Sequence, residues 1–231
     1  MIEIYKIKIK VYMLEDVSFN DIQKKITAFL DLSFLVDDEL VKKHKENNYK
    51  WYTYDLLYPF EQDRVYKKDK IYTLTIRTVD RKLADFFLNK SINAYSNEMK
   101  GLTGKISIIP RKHIEQIYTL TPVVIKNEEG YWRRCMSLKE FEQRLKTNLI
   151  KKYNTFKGEK INENFELYNS IEFLNKKPVA IKYKNIKLLG DKIRLHIAEN
   201  PTAQKIALLA LGTGIGEMNA RGFGFVNFKW L

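Results

Sequence analysis

The sequence carries a single cysteine, Cys135, in 231 residues, which excludes an internal disulfide and a Cys-x-x-Cys metal site and makes a reducing compartment the natural home. Cys135 itself reads as a small apolar filler. Histidine is almost as scarce, with His44, His113 and His196 the three examples. No apolar run approaches the roughly 18 to 20 residues that a membrane span requires. The opening segment, MIEIYKIKIKVYML, alternates charged and apolar side chains where a secretion signal would hold an unbroken apolar core. A soluble, cytoplasmic protein without a membrane partner is therefore expected. Acidic residues are in deficit: 28 Asp and Glu face 41 Lys and Arg, a formal charge of +13. The excess runs along the whole chain and is not gathered in a tail, so it describes a basic folded body suited to a polyanionic partner, with nucleic acid the favoured class.

What the sequence does hold is a repeating order of elements. A strand is predicted within residues 2–13, and a helix over 16–30, where Ile22, Ile26, Phe29 and Leu30 share one face. After an irregular stretch, 33–59, come a strand at 70–79, a helix at 81–90 and extended pieces at 105–110 and 114–120. Strand, helix, strand, strand, helix, strand is the split βαβ pattern of a ferredoxin-like domain. Pro122 marks the expected boundary, giving domains at 1–121 and 122–231. The second half offers a strand pair at 122–126 and 131–136, a helix at 137–153, strands at 179–189 and 192–197, a helix opening at Pro201 and a final strand at 223–228. The fold class is α+β, with the same alternation appearing twice.

Half of the ten glycines fall between Gly212 and Gly224, in GTGIGEMNARGFG. Glycine permits positive φ and leaves backbone N–H groups uncovered, so this loop could cradle phosphates; equally, it could be a turn that permits tight packing. Rossmann and Walker readings fail, because those loops follow a strand and open a helix, whereas this one follows a helix and precedes a strand. The runs ALLALGTGIG from Ala207 and NARGFGFV from Asn219 resemble the C-terminal glycine-rich signature of the CRISPR repeat-associated RNA-binding superfamily. Within it, the chain is similar to the repeat-processing endoribonucleases (Cas family six), which share a Leu-Thr-Pro-like junction such as Leu120 to Pro122. The resemblance implies two tandem ferredoxin-like (RRM-like) βαββαβ domains. It also implies cleavage of precursor crRNA by 2′-hydroxyl attack, leaving a 2′,3′-cyclic phosphate and a 5′-hydroxyl, with neither metal nor other cofactor.

That chemistry asks for a base at the 2′-hydroxyl, an acid at the 5′-oxygen and donors at the charged phosphorane. Histidine has the suitable pKa, and His44 follows the first helix, where the family usually carries its catalytic histidine. Its lysine neighbours disfavour the imidazolium and keep a fraction neutral. Lys50 is a candidate for phosphorane stabilisation, and Tyr49 and Tyr52 for orienting phosphate or ribose. His113 could bind RNA, and His196 reads as structural. The adjacent carboxylates Asp37, Asp38 and Glu39 make no catalytic pair. Candidate RNA-binding residues are Lys43, Lys45, Arg111, Lys112, Arg133 and Arg134, together with Gly212, Gly214, Gly216, Arg221, Gly222 and Gly224 of the loop. Bases could stack on Trp51, Tyr52 or Tyr54. The expected partner is CRISPR repeat RNA, with an effector complex and a second copy of the chain as further candidates. The rival reading is a non-catalytic guide-RNA-binding subunit of such a complex; a generic RRM protein is disfavoured by the lack of an RNP1-like stretch.

Overall fold

The structure is a computed structural model that describes residues 2–34, 48–183 and 186–231. Strand β1 (Tyr5–Met13) alternates as its sequence predicts, burying Tyr5, Ile7, Ile9, Val11 and Met13 on one face. A short β2 (Val17–Ser18) leads into helix α1 (Phe19–Phe34), which buries the predicted stripe of Ile22, Ile26, Phe29 and Leu30. Strands β3 (Tyr52–Tyr54), β4 (Val65–Tyr66) and β5 (Ile71–Thr78) precede helix α2 (Arg81–Lys90). Asp80 caps α2 by accepting from the Lys82 and Leu83 amides. Strand β6 (Met99–Ile108) completes an antiparallel sheet in the order β3-β5-β1-β6.

The second half repeats the plan. Strand β7 (Ile114–Thr119) is followed by helix α3 (Leu138–Lys157), opened by a capping box between Ser137 and Glu140. Then come β8 (Tyr168–Phe173), a hairpin of β9 (Val179–Tyr183) and β10 (Ile186–Gly190), and β11 (Ile193–Ile197). Helix α4 (Pro201–Thr213) and strand β12 (Val226–Trp230) end the chain. The sheet order is β12-β7-β11-β8. In each half the last main strand lies beside the first, then the third, then the second, so the fold is two tandem ferredoxin-like domains.

Several expectations change, among them the single strand at 179–189, which the structure divides into the hairpin of β9 and β10. The piece at 114–119 pairs with β11 and β12, so the passage between sheets falls between Ile108 and Ile114, ahead of the expected division at 121/122. The expected strand pair at 122–126 and 131–136 does not form. Val123 makes an isolated bridge with Asp191, and residues 132–134 wind as a short 3₁₀ turn; Tyr131 just before it and Trp132 within it both donate to the Asp191 carboxylate, at 2.6 and 2.7 Å. Strand β8 escapes the sequence because its outer residues are exposed and its alternation is weak.

The halves are bolted together. Gly212 lets α4 lie on the end of β5, since a Cβ there would sit 2.7 Å from the Val79 Cγ1. The Arg77 guanidinium of β5 donates to the Val226 carbonyl at 2.6 Å and lies over the Phe225 and Phe228 rings.

Candidate functional site

The glycine-rich turn, 214–225, links α4 to β12. Its backbone donors are largely spent inside the protein. The amides of Gly214, Ile215, Glu217, Arg221, Gly222 and Gly224 donate to carbonyls of Ala210, Gly224, Val124, Met218, Asn219 and Pro122. Gly212, Gly214, Gly216, Gly222 and Gly224 are all buried. At Gly222, φ is +82° and an added Cβ would lie 2.7 to 2.9 Å from three atoms of the Tyr54 phenol. At Gly224, φ is +63° and the Cβ would be 1.9 Å from the Ile215 carbonyl oxygen. The packing role, which the sequence left open beside phosphate cradling, accounts for these glycines: at 214, 222 and 224 an amide already bonded to a carbonyl cannot also point at phosphate. The side chains that reach the surface are those between them, Glu217, Met218, Ala220 and Arg221.

Beneath the turn lies Lys152 of α3, 3% exposed. Its Nζ donates to the Gly214 carbonyl at 3.1 Å, the Gly216 carbonyl at 3.0 Å and Asn219 Oδ1 at 2.6 Å. Burial pushes its pKa down to about 7, against which Glu217 pulls upward. Asn219 Nδ2 in turn donates to the Ile215 and Phe223 carbonyls. Sequence reasoning passed over Lys152 as one of a Lys-Lys pair. Its position on the stripe of Leu145, Leu149 and Phe156 is the signal that could have found it.

Segment 48–52, which precedes and enters β3, packs against this turn and encloses a cavity of about 310 Å³ lined by Tyr49, Lys50, Tyr52, Lys126, Lys152 and Arg221, among others. The cavity thus draws cations from both halves of the chain. Arg221 lines it while paired to Asp31 of α1 at 2.5 Å, and its carbonyl accepts from Gln23 Nε2. Tyr52 also lines the cavity, but its ring sits in the first core against Phe34 and Phe87, and its buried hydroxyl has no partner among the described residues. Tyr54 is fully buried with its hydroxyl against Thr27. Stacking of bases on Tyr52 or Tyr54 is therefore ruled out by burial, while Trp51 is half-buried between Tyr49 and Phe156. His44, Lys43 and Lys45 lie outside the described residues; His44 precedes Asn48, the first lining residue, by four positions.

The remaining candidates are distributed. Arg133 and Arg134 are exposed on the 132–134 turn; Arg133 stacks over Phe173 and lies 3.5 Å from Asp191, and Arg134 lines an adjoining hollow that shares Lys126 and Met218 with the cavity. Arg111, Lys112 and His113 line a separate hollow with Lys157 and Lys205. His196 pairs with Glu172 at 2.9 Å on the open face of the second sheet. A basic face was also missed. Lys8 stands directly opposite Lys105 across β1 and β6, Lys6 and Lys10 flank it, and burial followed by the neighbouring cations lowers the Lys6 pKa. Like charges facing each other across strands are unfavourable unless an anion covers them.

Residues 107–228 match the family described as CRISPR associated protein Cas6, C-terminal. A curated relative, the CRISPR-associated endoribonuclease Cas6 2 of Methanocaldococcus jannaschii, is 22% identical, covering 96% of this chain and 98% of its own. Among solved structures, one titled CRISPR associated protein Cas6 superposes with a TM-score of 0.70 at 21% identity, covering 98% of this chain and all of its own. Another, titled an RAMP protein binding different RNA substrates, gives 0.71 at 19% identity, covering 97% and 99%. Two ferredoxin-like domains closed by a glycine-rich turn, with a family match over more than half of its length, place this chain in the Cas6 family of CRISPR-associated proteins.

Proposed function

We propose that the chain is a metal-independent endoribonuclease that binds CRISPR repeat RNA and cuts precursor crRNA. The observation that carries this reading is the cavity between segment 48–52 and the glycine-rich turn, which Lys50, Lys126, Lys152 and Arg221 line together with Tyr49 and Tyr52. The Cas6 relative named as an endoribonuclease supports it. In the proposed reaction, the 2′-oxygen bonds to the adjacent phosphorus as the bond to the 5′-oxygen breaks. His44 takes the 2′-hydroxyl proton, cationic groups at Lys50 offset the phosphorane charge, and the Tyr49 hydroxyl donates to a non-bridging oxygen. The 5′-oxygen leaves with a proton, for which the Lys50 ammonium is the candidate donor. Phosphates beyond the scissile one are held by Lys126, Arg133 and Arg134 on one side and by Arg111 and Lys112 on another, with Lys43 and Lys45 assigned to the same role from their sequence position; such contacts fix register without reading bases.

The test is incubation of wild type and His44→Ala with labelled repeat RNA in EDTA. Cleavage by wild type and its loss in the variant, with binding retained, is the expected result. Binding without cleavage by either protein would replace the enzyme with a guide-RNA-holding subunit of an effector complex. Cleavage by His44→Ala at the wild-type rate would leave the enzyme and remove its histidine.

A further inference from the structure

We propose that Lys152 is a positioning residue of this site: it fastens the glycine-rich turn and supplies a buried positive charge whose field, without direct contact, favours a phosphate of the RNA in the cavity above it. The inference rests on the reading of the cavity as the RNA site. Its geometry is specific. Three ammonium protons meet three oxygens, those of Gly214, Gly216 and the Asn219 side chain, at 2.6 to 3.1 Å. None of the three is a carboxylate. A lysine wholly buried among neutral acceptors is costly compared with a methionine of similar length, so a packing role alone does not account for it.

Among the described residues no carboxylate pairs directly with this cation, and Glu217 acts on it only from a distance. From the turn itself come Glu217, which also faces Arg144 at 3.6 Å, and Arg221, already paired with Asp31 of α1. Segment 48–52 contributes Tyr49, Lys50 and Tyr52, the stretch after β7 contributes Lys126, and β9 contributes Tyr183. Its own helix contributes Asn148 to the cavity lining. Among the described residues, one carboxylate shared with an arginine cannot balance Lys152 and Lys126 together. A phosphodiester entering the cavity supplies the missing negative charge, and through Lys152 it tightens the carbonyls that shape the turn.

Because burial holds the pKa of Lys152 near 7, and an anion within about 4 to 6 Å raises such a value by roughly one to three units, RNA binding should draw a proton onto the amine. At pH 8, where an ordinary histidine stays neutral, uptake of about half a proton or more is expected. The experiment is calorimetric titration of the full chain with repeat RNA carrying a 2′-deoxy group at the cleavage site, in two buffers of different ionisation enthalpy. Wild type should take up the proton, and its affinity should weaken as pH rises from 7 to 9. Lys152→Arg keeps a fixed charge and should bind with no uptake and a flat profile. Lys152→Met should bind about tenfold more weakly with an equally flat profile. Tight wild-type binding with no uptake overturns the proposal and leaves the RNA site standing, even if both variants fail to fold. Uptake that persists unchanged in Lys152→Arg overturns it too. Failure of wild type to bind the RNA at all would instead remove the underlying site.

Discussion

Replacing Gly222 with alanine separates the two things a glycine-rich turn can do. The residue has φ +82° and ψ 18°, a left-handed conformation that costs an L-residue about 1 to 2 kcal/mol. Its new Cβ would lie 2.7 to 2.9 Å from the Tyr54 ring and hydroxyl, which are anchored in the core by Thr27 and the Gln23 carbonyl. Relieving that overlap adds about 1 to 3 kcal/mol, so the whole effect is about 3 kcal/mol, or a drop of roughly 6 to 12 °C in Tm for a chain of this size. Urea titration and thermal unfolding measure the loss. RNA affinity, taken well below the lowered Tm, should stay within about twofold of wild type, because the Gly222 amide already donates to Asn219. An unchanged Tm with affinity reduced tenfold would refute the packing argument and restore the glycine backbone as a direct phosphate ligand.

Asp191→Ala removes the acceptor of Tyr131, Trp132 and Asn175 at the buried junction behind the 132–134 turn, and should cost about 3 to 5 kcal/mol by urea unfolding; Asp191→Asn should recover part of that. Asp55 is held at a pKa of about 6 by burial, against 3.8 for an ordinary aspartate, so the folded state binds the extra proton between about pH 4 and pH 6 and loses stability as pH rises through that window. Asp55→Asn should accordingly be more stable than wild type by about 1 to 2 kcal/mol at pH 7.5 and equal to it at pH 4, which a pH series of unfolding curves reads directly. On the basic sheet face, Lys8→Glu with Lys105→Glu should weaken RNA binding and lower the salt slope of its affinity by about 2, while leaving the cleavage rate of saturated RNA unchanged.

Much of the fold was legible because its signals are local. The helix faces of α1 and α2 and the alternation in β1 and β5 stand in the sequence at the periods that the packing uses. The apolar run Val123 to Ile125 misled for a physical reason: it is buried against the glycine-rich turn, where Gly216 abuts Val123, and burial of that kind looks like a strand in one dimension. Strand β8 and the sheet to which β7 belongs are settled by long-range pairing, which no window of neighbouring residues contains. At the candidate site, Lys50, Tyr49, Tyr52 and Arg221 do meet in one cavity, although a purely linear reading could not tell that the Tyr52 ring is core and that Arg221 is tied to Asp31. Lys152 was hidden because composition treats every lysine as a surface charge, whereas its helical phase puts it inside.

The central claim is that a 2′-hydroxyl, and not water, attacks the scissile phosphate. Mass analysis of the upstream fragment from purified protein and repeat RNA in EDTA tests it most directly. A 2′,3′-cyclic phosphate, with no product from RNA lacking the 2′-hydroxyl at that position, is the predicted result. A 3′-hydroxyl end, or equal cutting of the deoxy substrate, would contradict it.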